Sequence, residues 1–292
     1  MATTHADDAN VYYVPHSSPW PIVGAIGLFI TMLGVASWMD GADWGMWVFY
    51  AGLAIVLFML SGWFADVISE SVAGKFNAQV DRSFRMGMVW FIFSEVMFFA
   101  AFFGALFYAR TFSVPWLGGE GAGAATHEFL WSSFDAAWPT NGPSDLNGSF
   151  QTIPAWGIPL LNTLLLLASG VTLTIAHHAL KAGHRGQIMI WLAATVLLGA
   201  VFMYFQIYEY AHAYGDLNLK LSSGIYGSTF FMLTGFHGMH VTLGAIMLAV
   251  MFFRVMKGHF TKDNHFAFEA VAWYWHFVDV VWLILFLFVY VL

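Results

Sequence analysis

Cysteine is missing altogether from the 292 residues, and charge is scarce, with ten Lys and Arg and seventeen Asp and Glu making up 9% of the chain. Without cysteine there is no disulfide, no iron–sulfur ligation and no thiolate metal site, so a metal would have to rest on the twelve His and the carboxylates. An ordinary soluble domain is about 25% charged, so the chain lacks the means to cover itself with a hydrated surface. The few basic residues form no run, which argues against nucleic acid as a partner despite the net charge of −7 being uninformative by itself. A nucleophile elbow, a phosphate loop, paired catalytic carboxylates and an HExxH motif are also missing, so an enzyme acting alone is poorly supported. There is no internal repeat and no coiled-coil heptad.

What the chain has instead is 60% hydrophobic residues, 19% aromatic residues and a mean hydropathy of +0.70. Crossing a hydrocarbon core of about 30 Å takes about 20 apolar residues, and seven runs qualify: 20–39, 44–65, 84–109, 158–179, 188–210, 225–256 and 266–291. They are continuously apolar and do not alternate every second residue, which predicts helices and not barrel strands. The expected fold is all-α, an integral membrane bundle of seven transmembrane helices. The start, "MATTHADDANVYYVPHSSPWP", is polar and acidic without a basic segment, so it is expected to stay on the mature chain.

An N-terminus on the cytoplasmic side puts Lys75, Arg82, Arg85, Lys181, Arg185, Arg254, Lys257 and Lys262 at the cytoplasmic face and leaves Arg110 and Lys220 outside. The positive-inside rule therefore predicts a cytoplasmic N-terminus and an external C-terminus. The polar stretch 111–156, with "LGGEGAGAAT" and "WPTNGPSDLNG", reads as a long external loop. The chain divides into residues 1–66, a tail with two helices, and residues 67–292, with the remaining five.

Inside the third run, "FIFSEVMFFAAFFGALFYAR" carries one carboxylate, Glu95. It lies ten residues past Arg85, or about 15 Å along a helix, near the middle of the membrane. A charge facing lipid at that depth costs at least about 2.5 kcal/mol, and either protonation or a polar partner on a neighbouring helix lowers the cost. Two readings stand: a hydrogen-bonded structural carboxyl, or a functional one with a proton, ion or lipid role. His237 and His240, three residues apart in "TGFHGMHV", share a helical face. They read as ligands for haem or copper, or as imidazoles hydrogen-bonded between closely packed helices, and the nearby Gly235, Gly238 and Gly244 favour the second. His177 and His178 point about 100° apart on a helix, so they read as histidines of the membrane surface. In the last run, Asp279 stands three or four residues from Trp275, His276 and Trp282, which predicts an intramembrane carboxylate ringed by indole and imidazole donors. Gln206, Glu209 and His212 share a face near the outside and read as polar contacts between helices.

Seven collinear stretches, "SPWP" at 18–21, "DVISES" at 66–71, "SEVMFF" at 94–99, "PLLNTLLLLASG" at 159–170, "AHHAL" at 176–180, "YGSTFFMLTGFHGMHV" at 226–241 and "HFAFEAVAWYWHFVDVVWL" at 265–283, resemble cytochrome c oxidase subunit III. The resemblance covers nearly the whole chain. It implies a seven-helix accessory protein with a V-shaped, phospholipid-holding cleft between helices one to two and three to seven. It implies no cofactor or metal on this chain, packing against subunit I and beside subunit II, and haem a, haem a3 and copper in those partners of a proton-pumping, aa3-type oxidase. Such a subunit stabilises subunit I, supports proton uptake and helps oxygen reach the site. Glu95 matches the intramembrane glutamate that a hydrophobic carbodiimide modifies, a reaction that needs a protonated carboxyl. Trp63, Asp66, Arg82, Arg85, His237 and Arg254 match or neighbour lipid-contacting positions, and His240, Trp275, His276 and Asp279 are expected in a structural polar network. At "GWFADV", Ala65 stands where many mitochondrial members carry a basic residue, and the loop 111–156 is longer than in compact members. The setting implied is the inner membrane of a bacterium. Two alternatives remain: subunit III of a quinol oxidase, whose members are commonly shorter, and a secondary transporter using Glu95 and Asp279, which would be expected to show inverted repeats.

Overall fold

A computed structural model of the chain describes residues 12–15, 17–145, 147–262 and 264–292. The polar start up to Val11, on which the reading of an uncleaved N-terminus rests, lies outside the described residues. Among the described residues every regular element is helical. Helices α1 (Trp20–Met39) and α2 (Gly45–Val72) come first, then α3 (Ala78–Tyr108), which runs through a π-helical turn (Ala109–Ser113) into the short α4 (Val114–Leu117). A 3₁₀ turn (Gly121–Gly123) and α5 (Ala124–Leu130) follow, then α6 (Ile158–Ala182), α7 (Arg185–Gly215), α8 (Gly224–Met256) and α9 (Phe266–Leu285), the last prolonged by a π-helical turn (Phe286–Val291). Seven of these spans are long and apolar enough to cross a membrane.

Most helices overrun the apolar runs that announce them. α7, with 31 residues, is about 46 Å long and so exceeds a hydrocarbon core of about 30 Å. Hydropathy marks only the part in contact with lipid, whereas the backbone hydrogen bonds continue through polar flanks such as "DVISES" until a stop signal arrives. The stop after α6 is Gly183, whose left-handed φ of 80° lets its N–H reach back to the carbonyls of Ala179 and Leu180. The stretch 111–156 is likewise less irregular than its composition predicts, since it opens with the π turn, α4 and α5 before becoming true loop.

The chain forms two compact units, divided within α3 between Met86 and Gly87. In the first, α1 and α2 lie in close contact. A Cβ on Gly34 would fall on the backbone of Phe49, and one on Gly52 on the backbone of Thr31. Small residues that let two backbones approach are what hold helices together where lipid removes the hydrophobic driving force. In the second unit, α6, α7, α8 and α9 pack around a core that includes Leu173, Leu192, Phe202, Leu233, Trp275 and Trp282. Phe268, Ala272, Trp275, Val278, Trp282 and Leu285 of α9 are all buried, and their spacing of three and four residues places them on one face. Outward residues are large and apolar, for example Phe58 and Leu197, as suits lipid and not water.

Gly52→Val should destabilise the first unit by about 1–3 kcal/mol or more, because backbone and not a flexible side chain must yield. Thermal melting of the full chain in detergent checks it, with Gly104→Ala, where nothing lies within 4 Å, expected to melt as the parent does.

Candidate functional site: the intramembrane polar groups

Helix α3 presents Glu95, and α8 presents His240. The carboxylate Oε2 lies 2.8 Å from His240 Nε2, so the partner on a neighbouring helix that Glu95 calls for is an imidazole. The other ring nitrogen, Nδ1, is 2.7 Å from the Phe236 carbonyl one turn back. A carbonyl only accepts, so Nδ1 carries a proton and donates it. The Glu95–His240 contact therefore has two forms. Either a neutral ring accepts at Nε2 from a protonated Glu95, or an imidazolium donates to the carboxylate. In both forms one proton sits between the two groups and the pair is neutral as a whole, which is how the membrane interior tolerates it. Aromatic rings close around the pair, with Phe99 5.0 Å and Phe98 6.0 Å from the imidazole and Tyr274 stacked on it at 6.3 Å. The Glu95 side chain is 20% exposed and that of His240 7%, so the carboxyl is the accessible member.

His237 turns elsewhere. Its Nε2 lies 3.2 Å from the Val278 carbonyl of α9, and its ring packs on Trp282 at 5.0 Å and Phe202 at 5.8 Å. The two histidines of "FHGMH" thus serve different helices and do not converge on one ligand. At 1% exposed, His237 is enclosed by protein. This differs from its expected place beside lipid head groups: the ring of His237 is packed against α9 and not turned outward.

The ring of donors expected around Asp279 also differs. Of the three candidates only His276 faces it, Nδ1 to Oδ2 at 3.4 Å. The indole of Trp275 donates to Ser169 Oγ at 2.9 Å and that of Trp282 to Thr163 Oγ1 at 2.9 Å, both on α6. Spacing along α9 placed the indoles on one face with Asp279, but that face meets the hydroxyls of α6, which are the nearer acceptors. Asp279 itself packs on Gly170 of α6, where a Cβ would strike its Oδ2.

The other residues expected to contact lipid lie towards the ends of helices. Trp63 is exposed and stacks on Phe64 at 5.6 Å. Asp66 accepts from the Trp20 indole at 2.7 Å, and Glu70, one turn on, accepts from the Tyr13 hydroxyl at 2.7 Å. That bond to Glu70 holds the Tyr13 phenol above its usual range. Arg82 is exposed, while Arg85 donates from Nε to Asp81 at 2.8 Å. Arg254, near the end of α8, is 6% exposed, lies 4.5 Å over the Phe260 ring and leaves Nε and Nη2 buried without a hydrogen-bond partner among the described residues.

Several partners escaped the sequence. Trp20, Ser169 and Thr163 gave no signal, because a contact over 46, 106 or 119 residues has no local spacing to betray it. Of the face with Gln206, Glu209 and His212, Glu209 is buried and accepts from Tyr290 at 2.6 Å, whereas His212 stays at the surface beside Asp216 at 2.7 Å. His177, read as a surface residue with His178, turns inward to Glu269 and His265 instead.

Glu95→Gln should keep the fold, because the amide N–H donates to the bare Nε2 of His240. Glu95→Leu strands that nitrogen and should cost about 1–3 kcal/mol. Melting curves of both variants check this, and a hydrophobic carbodiimide should label the parent chain and neither variant.

Residues 10–292 match the family model described as cytochrome c oxidase subunit III. The chain is 40% identical to cytochrome c oxidase subunit 3 of Danio rerio over 286 residues, 98% of each chain. It is 41% identical to that of Neotragus moschatus over 282 residues, 96% of this chain and 97% of the relative. The intramembrane arrangement described above is therefore that of a member of the cytochrome c oxidase subunit III family, to which this chain belongs.

Proposed function

We propose that the chain is an accessory, multi-pass membrane subunit of a proton-pumping cytochrome c oxidase. Subunit I, with haem a, haem a3 and copper, is its main partner, and subunit II lies in the same complex. The family match over residues 10–292 carries this reading. The intramembrane histidines suit a structural part in such a subunit, since His237 serves the Val278 carbonyl while His240 serves Phe236 and Glu95. The work of the subunit is then to stabilise subunit I, to support proton uptake and to ease oxygen access. The spread of basic residues supports a cytoplasmic N-terminus and an external C-terminus, and with it a bacterial inner membrane as the setting.

Phospholipids are the ligands we assign to the chain itself. Arg254 supports this most directly, since a buried guanidinium with two unpartnered nitrogens is costly unless an anion covers it, and a lipid phosphate fits its donor geometry. The exposed Trp63 and Arg82 suit head-group contacts, with Asp66 and Arg85 supporting them through Trp20 and Asp81.

Purification in mild detergent through a tag on this chain should bring down a large haem-bearing subunit, and the visible haem bands should leave with that subunit when it is stripped away. A lone, colourless chain that moves an ion across liposomes would overturn the assignment in favour of a transporter. Arg254→Gln should lower the phospholipid retained by the purified complex, read by phosphorus content and lipid mass spectrometry, and leave the haem content unchanged.

A further inference from the structure

The sequence offers a metal little beyond histidine and carboxylate, and at one place the fold gathers three of these from distant points. His177 lies near the end of α6, His265 caps the start of α9, and Glu269 stands one turn into α9. One ligand atom from each lies within 4.8 Å of the others. His177 Nε2 is 3.5 Å, and His265 Nε2 3.3 Å, from the same oxygen, Glu269 Oε1. Both Nε2 atoms are buried and, among the described residues, lack a hydrogen-bond partner.

We infer that His177, His265 and Glu269 form a binding site for one divalent cation of the zinc class, bridging α6 and α9. Three features of the geometry carry this. Zinc binds imidazole nitrogen and carboxylate oxygen at about 2.0–2.2 Å, and a tetrahedron of that size has ligand-to-ligand edges of about 3.4 Å. Two edges of that length are already in place, before any ion pulls the groups together. Next, His265 Nδ1 is 3.2 Å from the Thr261 carbonyl, so Nδ1 carries the proton and Nε2 presents its lone pair. That is the tautomer a metal requires, held by the kind of outer contact that orients ligating histidines. Finally, the His177 side chain is 22% exposed and Lys181, one turn further on, is exposed, so the cluster lies close to the surface at this end of the bundle. A dication held by one carboxylate and two neutral imidazoles leaves a net charge of about one, which this end of the bundle can solvate. The role is structural, a clasp between α6 and α9, with no redox chemistry.

A protonated imidazole paired with Glu269 is the competing outcome. The test uses the full chain in detergent, carrying a tag free of histidine and treated with chelator. It has no haem or thiol of its own to mask the visible bands of tetrahedral cobalt(II). Cobalt(II) should bind with one equivalent and give those bands, and zinc should displace it. X-ray absorption of the zinc form should show only nitrogen and oxygen neighbours at about 2.0–2.1 Å, with scattering from two imidazoles. Glu269→Gln and His265→Gln should each weaken zinc binding at least tenfold, and His178→Gln should leave it unchanged. Circular dichroism identifies a variant that has failed to fold, in which case the parent chain's absorption spectrum decides. A helical parent chain that binds neither ion, zinc binding equal in parent and both variants, or a zinc spectrum without two imidazoles would each overturn the inference.

Discussion

The second unit is organised around the indole of Trp275. It is 0% exposed, donates to Ser169 of α6, and occupies space that exists only because Gly199 of α7 and Gly244 of α8 have no side chain. In lipid an apolar side chain gains little by leaving its surroundings, so helices associate through close van der Waals packing and hydrogen bonds. A large flat ring wedged among small residues of three helices provides both. Trp282, two turns along the same face, repeats the arrangement one layer further on, with Thr163 of α6 as acceptor and Phe202 of α7 at 4.9 Å. The positions of α6, α7 and α8 about α9 follow from these two rings.

That packing fixes α8 in the rotation that turns His237 to α9 and His240 to Glu95. A backbone carbonyl then decides the chemistry of the pair, since that of Phe236 accepts from Nδ1–H and leaves Nε2 to share one proton with the carboxyl. The Glu95 side chain is the more exposed of the two. Arg254 illustrates the opposite situation, a buried cation whose Nε and Nη2 find no hydrogen-bond partner among the described residues.

Much of this was legible in the chain alone, for identifiable reasons. Seven apolar runs of about 20 residues have one inexpensive arrangement in a bilayer, because unsatisfied backbone groups in lipid are costly. Glu95, alone in its run, announced a partner without naming it. The order of the quoted stretches implied the family that the comparisons then showed. Local spacing misled only where it was asked to give contacts. The donors three and four residues from Asp279 share its face, but two of the three bond to α6, and the adjacent His177 and His178 part company, one inward and one to the surface.

The sequence by itself determined that the chain crosses the membrane seven times, that its apolar runs are helices, and that a few polar side chains must be satisfied inside them. These follow from composition and from periods of three to four residues, which act within a single helix. Only the tertiary structure decided which groups satisfy them: His240 for Glu95, Ser169 and Thr163 for the two indoles, Glu269 for His177. Those pairings join residues up to 145 positions apart, and they depend on how each helix is rotated by the glycines and rings it packs against, a property that no stretch of one helix contains.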